Sequence, residues 1–167
     1  FCGGVVPAPG KAEALDDGLR GLAESTYTAV DQAVRSLHVN VALAELWKLV
    51  RAVNKYIDDA KPWVLAKEAD PGRLNTVMYH VFEALRVISV LIAPFLPRTG
   101  QAFWQQLGQE GRVDQQGIAA AAWGGTRPGT AVQGGDPLFP RLEVDKVFEE
   151  LLGSQAGTSN AQPQAAE

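Results

Sequence analysis

Between Glu13 and Ile92 apolar side chains recur at three- and four-residue steps in three successive runs, a period that belongs to helices and not to strands. The first run places Leu15, Leu19, Leu22, Thr26, Val30, Ala33 and Leu37 on one stripe. The second follows Asn40, a residue suited to an N-cap, and carries Leu43, Leu46, Val50, Val53 and Ile57 before Pro62 ends it. The third is expected to be capped by Asp70 with Pro71 in its first turn, and runs through Leu74, Val77, Val81, Leu85, Ile88 and Ile92. Its second half is apolar all round, which suits a central position. Each stripe needs another to cover it, so the expected fold class is all-α, a bundle of three long helices and smaller pieces.

The 167 residues, 46% of them apolar, suffice for one sizeable core. Residues 1–10 hold glycines with Pro7 and Pro9 and read as an extended connector, and the opening on Phe1 without a leader pattern leads us to expect a start within a longer protein. Residues 11–152 read as the helical domain. In it, Pro94 to Pro97 breaks the third helix from a shorter one, and Val113 to Pro140 reads as an irregular C-terminal wrap with Trp123, Leu138 and Phe139 as anchors. Val144 to Leu152 shows one more short amphipathic pattern, and residues 153–167 have the composition of a disordered tail. The apolar run Val87 to Leu96 is far shorter than the ~20 residues that span a bilayer, so no membrane partner is expected. A single cysteine, Cys2, fits a reducing, cytoplasmic setting.

Catalytic chemistry finds little support. The two histidines, His38 and His80, have no glycine-flanked serine near them and no metal-ligand spacing; His80 reads as a surface or hydrogen-bonded core residue. Gly3, Gly4 and Gly10 lack the Lys-Ser or Lys-Thr that a phosphate loop requires. The pairs Asp16–Asp17 and Asp58–Asp59 point about 100° apart on a helix and read as solvated faces. The expectation is an accessory domain with no catalytic residue, no metal and no cofactor of its own. A net charge of −4 also argues against a domain that grips nucleic acid by neutralising many phosphates, so any such contact is local.

The end of the second helix, Asn54 to Lys67, is the informative stretch. Asn54 adjoins Val53 on the apolar stripe, and its amide is expected to be buried and hydrogen-bonded. Lys48, Arg51 and Lys55 form a basic stripe that leads to Lys61, and Pro62 then leaves Trp63 at a helix terminus between Lys61 and Lys67. An exposed ring beside cations can hold an unstacked nucleotide base. The residues alone leave a second reading open, in which Trp63 is a plug packed under the third helix.

This stretch resembles the anticodon-binding domain of bacterial methionyl-tRNA synthetase, in which an Asn-Lys/Arg-Tyr helix ends in Pro-Trp followed by Leu-Ala-Lys. Phe1 to Pro7, Pro94-Phe95-Leu96-Pro97, Trp123-Gly124-Gly125 with Pro128-Gly129, and Leu138-Phe139-Pro140-Arg141 resemble other segments of that domain in the same order. The resemblance implies that Trp63 stacks on a base of the methionine tRNA anticodon loop and that Pro62 sets its backbone. It makes Lys55, Asp58 and Lys61 candidates for phosphate or base-edge contacts, with Asn54 and Tyr56 shaping the helix junction. It also implies a preceding helix with an Asn and an Arg that read the anticodon, and a catalytic domain in cis that uses ATP and Mg to charge tRNA with methionine. The sibling synthetases for leucine, isoleucine, valine and cysteine share such a module, and a helical protein-interaction domain is the alternative from another class.

Overall fold

The computed structural model describes residues 2–68, 71–135 and 137–139. Three long helices dominate: α1 (Ala14–Arg35), α2 (Val39–Ala60) and α4 (Gly72–Ile92), with the single-turn α3 (Pro62–Leu65) and the shorter α5 (Pro97–Gln106) between and after them. Two 3-10 turns follow, Val113–Gln115 and Ile118–Ala121. A three-residue turn joins α1 to α2, which makes them an antiparallel pair, and α4 packs against both. Among the described residues no strand forms. The expected all-α bundle is what the chain folds into.

The helix ends differ from the periodic reading by a few residues. The first stripe was expected to run to Leu37, yet α1 stops at Arg35; Leu37 adopts φ +58° in the turn and is 86% exposed. Asn40 lies inside the first turn of α2, because His38 takes the N-cap position and its carbonyl accepts from Val41 and Ala42. Pro71, not Asp70, stands immediately before α4; Asp70 lies outside the described residues.

The buried face of α2 is Ala42, Leu46, Leu49, Val53 and Tyr56, while Val50 and Ile57 are only partly covered. The stripe read from the sequence is therefore turned by one position, since α1 and α4 flank this helix from one side. Leu46 and Leu49 of α2 and Val77 and Val87 of α4 lie in the core with no exposed surface. Each such side chain contributes roughly 1.5–3 kcal/mol through removal of apolar area from water. Helix α4 is long and apolar enough to cross a membrane, but most of that apolar surface is buried within the protein itself.

Two carboxylates are buried, and one of them corrects the reading of Asp16–Asp17 as a solvated face. Asp16, read as surface, has no exposed area and accepts from Tyr56 Oη (2.5 Å), Arg73 Nη1 (2.5 Å), Arg73 Nη2 (3.1 Å) and the Glu13 amide (2.8 Å). It occupies the helical register of Leu19, Ala23 and Thr26, the true inner face of α1, whereas Leu15 is partly exposed. Glu83, in the middle of α4, is equally buried and pairs with Arg86 (2.5 Å). Its oxygens also accept from the amides of Gly124, Gly125 and Thr126 at 2.6, 3.0 and 2.8 Å. Arg86 in turn donates to the carbonyls of Ala120 and Ala122. This cluster fastens residues 120–126 to α4, with Trp123 packed on the core and on His80 (ring centroids 5.7 Å). His80 is a hydrogen-bonded core residue: its Nδ1 donates to the Thr76 carbonyl at 2.8 Å.

The N-terminal segment is tied in by backbone pairing. Val6 is buried, its amide donates to Thr130 (2.9 Å), its carbonyl accepts from Gly129 (2.7 Å), and Val5 bridges to Ala131. The compact unit ends at Gly135, and beyond it Phe139, expected as an anchor, is exposed. The amphipathic pattern Val144 to Leu152 and the tail 153–167 lie outside the described residues.

Burial by itself would raise the pKa of both carboxyls, but Arg73, Tyr56 and the Glu13 amide at Asp16, and Arg86 and the Thr126 amide at Glu83, hold each below its ordinary value. A carboxyl depressed in the folded state stabilises it above the unfolded-state pKa, and that contribution disappears as pH falls through the folded value. The melting temperature is accordingly expected to hold steady above about pH 5 and to drop steeply below about pH 4. Thermal melts followed by circular dichroism from pH 7 to pH 3 check this; a midpoint unchanged at pH 3 would refute the role given to these two groups.

Candidate nucleic-acid interface at the end of α2

Helix α2 ends because Lys61 takes a left-handed conformation (φ +50°, ψ +59°) while its amide still donates to Ile57 at 3.0 Å. Pro62 lacks an amide hydrogen and has a fixed φ, so it can open a new turn directly. The Lys61 carbonyl accepts from Val64 (2.8 Å) and Leu65 (3.3 Å), and α3 begins within one residue of the end of α2. Pro62 is buried and Leu65 packs partly against the core. With those two positions facing inward, Trp63 and Val64 face outward, 45% and 46% exposed.

Trp63 is thus not a plug under the third helix. Among the described residues no other ring and no cation lies against it, so the indole presents open area at a terminus flanked by exposed Lys61 and Lys67. Neither lysine is engaged in an ion pair among the described residues. The basic stripe before them is partly neutralised: Lys55 Nζ contacts Asp59 at 2.8 Å and Lys48 Nζ contacts Glu45 at 2.6 Å, whereas Arg51 has no ion-pair partner among the described residues. Asp58 is exposed one turn before Pro62.

Asn54, expected to be buried, is exposed, because Val53 and Tyr56 fill the inner face and Asn54 stands about 100° round from Val53. Tyr56 is buried, and its hydroxyl ends on Asp16; burial and the neighbouring carboxylate both push its pKa up, so it is a donor at all ordinary pH. Trp47, which the periodic reading passed over, is 43% exposed and stands seven residues before Asn54 on the same face. Only its size and its place outside the apolar stripe could have drawn attention to it.

Chemically the surface offers an aromatic plane, the ammonium groups of Lys61 and Lys67, and amide and carboxylate edges. Such a set can stack on a planar ring and pair with anionic groups, and holds no arrangement for making or breaking bonds. An apolar cleft of about 590 Å³ lies at the opposite end of the bundle, between Val30, Val34, Val90, Leu91, Pro97 and Ile118, and has no part in this surface.

A family profile described as the anticodon binding domain of methionyl tRNA ligase matches residues 6–159. The chain belongs to that family. As an anticodon-binding domain it is 42% identical over 153 residues to the methionine–tRNA ligase of Clostridium tetani, which covers 90% of this chain and 23% of that protein. It is 37% identical over 168 residues to the ligase of Bacillus subtilis, covering 100% of this chain and 25% of that protein. The domain therefore spans about a quarter of the length of these relatives. The apo methionyl-tRNA synthetase of Mycobacterium tuberculosis superposes with a TM-score of 0.78 at 29% identity, over 84% of this chain and 28% of that one. The same enzyme bound by methionyl-adenylate gives 0.76 over 82% and 27%. The anticodon-binding domain so placed agrees with the resemblance carried by Pro62-Trp63, and sets aside the sibling synthetases.

Proposed function

We propose that this domain holds the CAU anticodon loop of methionine tRNA, with the Trp63 indole stacked on one anticodon base. The exposure of that ring, on a turn fixed by Pro62 and flanked by Lys61 and Lys67, is the observation that carries the reading. Lys61 is free to meet a phosphate or a base edge. Lys55 can do so by exchanging Asp59 for a phosphate, and Asp58 can accept from an exocyclic amine on a base edge. Asn54 and Tyr56 belong to the junction, one on its outer and one on its inner face. The parent would be a cytoplasmic ligase that charges tRNA with methionine using ATP and Mg, chemistry supplied by the catalytic part of the protein and not by these helices.

The test is binding of the methionine tRNA anticodon stem-loop to the full-length ligase that carries this domain. Base-on-aromatic stacking contributes about 1–3 kcal/mol, so Trp63→Ala is expected to raise Kd about 5- to 150-fold. Trp63→Phe, which keeps an aromatic plane, should recover part of that loss. Unchanged affinity in Trp63→Ala would refute the stacking role.

A further inference from the structure

Trp63 rides on a segment whose two ends are held by one buried carboxylate. Tyr56 lies five residues before Lys61, and Arg73 lies two residues after Pro71. Both bind Asp16, from a different helix: the Tyr56 hydroxyl on Oδ1 at 2.5 Å, the Arg73 guanidinium across Oδ1 and Oδ2 at 3.1 and 2.5 Å. The Glu13 amide takes the remaining site on Oδ2 at 2.8 Å, so the oxygens are fully engaged. A carboxylate, a phenol and a guanidinium removed from water give little net stability compared with apolar residues of the same volume. Their directional bonds instead fix register among the start of α1, the end of α2 and the start of α4.

That register matters for Trp63 because the ring is 45% exposed and, among the described residues, no second ring stacks on it and no ion pair or hydrogen bond fixes it. Within α3 only Pro62 and Leu65 face inward, so the position of the indole follows from where α2 ends and α4 begins. From these distances we infer that Asp16 is the positioning residue of the tRNA site: through Tyr56 and Arg73 it sets the end of α2 against the start of α4, and so presents Trp63 on the turn Lys61–Leu65 before RNA arrives. The inference rests on the stacking reading above. Presetting spares the complex the ordering cost of a mobile aromatic side chain and its backbone, which a loosened segment would meet on binding.

The experiment uses the full-length ligase with Trp63→Ala, Asp16→Asn, Tyr56→Phe and the pair Asp16→Asn with Trp63→Ala. Kd for the methionine tRNA anticodon stem-loop is measured together with the 19F spectrum of 5-fluorotryptophan-labelled protein, the Trp63 resonance being assigned by its loss in Trp63→Phe. Asp16→Asn and Tyr56→Phe are expected to shift or broaden the Trp63 resonance in the free protein and to raise Kd about two- to tenfold. The effect of Asp16→Asn on Kd should vanish when Trp63 is already alanine, since the two then share one pathway. Tyr56→Phe removes a single hydroxyl and keeps the ion pair, so it carries the test if Asp16→Asn does not fold. Glu83→Gln perturbs the other buried carboxylate, ten residues further along α4, and should leave the Trp63 resonance in place.

Unchanged Kd and resonance in both Asp16→Asn and Tyr56→Phe, with Trp63→Ala still weakened, would overturn this inference and leave the stacking reading intact. So would an Asp16→Asn loss that persists in the Trp63→Ala background, or an equal spectral change in Glu83→Gln. A Trp63→Ala variant of undiminished affinity would overturn the stacking reading itself, and this one with it.

Discussion

Glu83→Ala is expected to cost about 3–5 kcal/mol of folding stability, because it leaves the Arg86 guanidinium buried without its counter-charge. Arg86 is nearly as buried as Glu83 and keeps only the carbonyls of Ala120 and Ala122 as partners. The amides of Gly124, Gly125 and Thr126 lose their acceptor at the same time; Gly124 and Gly125 are exposed to water, whereas Thr126 is buried, and a buried amide left unsatisfied costs about 1–3 kcal/mol. Gly125 shows how tightly the cluster is built, since a Cβ there would come within 2.7 Å of the Arg86 Cζ. Urea unfolding of the chain measures the loss. A double replacement, Glu83→Leu with Arg86→Met, should recover much of the ionic part because no charge is then left alone, although the buried Thr126 amide still lacks its acceptor. A Glu83→Ala variant within about 1 kcal/mol of the parent would show that the wrap is held by something other than this carboxylate.

The second large effect falls on Gly108. It follows α5 with φ +70°, and its amide donates to Gln105 at 2.9 Å while that of Gln109 reaches back to Trp104 at 3.1 Å, the arrangement of a helix closed by a left-handed residue. Were that conformation the only demand, asparagine would serve nearly as well as glycine. A Cβ at this position, however, would stand 1.9 Å from the carbonyl oxygen of Ala131 and 2.8 Å from Cγ2 of Thr130. Ala131 is bridged to Val5 and cannot retreat without breaking the backbone pairing around Val6. Gly108→Ala and Gly108→Asn are both expected to destabilise by roughly 2–4 kcal/mol, adding strain in the left-handed region to displacement of a packed strand-like segment. Thermal melts of the two variants decide it: an asparagine variant as stable as the parent would mean that only the backbone angle matters.

Both effects arise in a region where the one-dimensional pattern was thin. Between Gly108 and Pro140 the sequence carries no helical period, and although Trp123 reads as an anchor of the wrap, nothing near it in sequence points to Glu83. The carboxylate and the amides it serves are about forty residues apart, joined only by the folding of residues 118–126 onto α4. Glu83 and Arg86 stand at a three-residue spacing on a helix, which ordinarily describes a solvated surface pair. Their burial becomes visible only when the apolar residues around them on α4 are seen to be covered on every side.

The sequence by itself determined that the chain is helical, because three long runs at helical period cannot be satisfied otherwise. It also determined where α2 must stop, since Pro62 forbids continuation, and that a tryptophan would stand at that stop. Tertiary structure decided which way each side chain turned. It put Asn54 outside and Asp16 inside, rotated the inner face of α2 from Leu43 towards Ala42 and Leu49, and exposed Trp63 instead of burying it. The physical reason is common to all four. Helical period fixes the angles between side chains on one helix, whereas burial depends on where the neighbouring helices lie. For a polar group it depends further on finding partners as far away as Tyr56 and Arg73 are from Asp16.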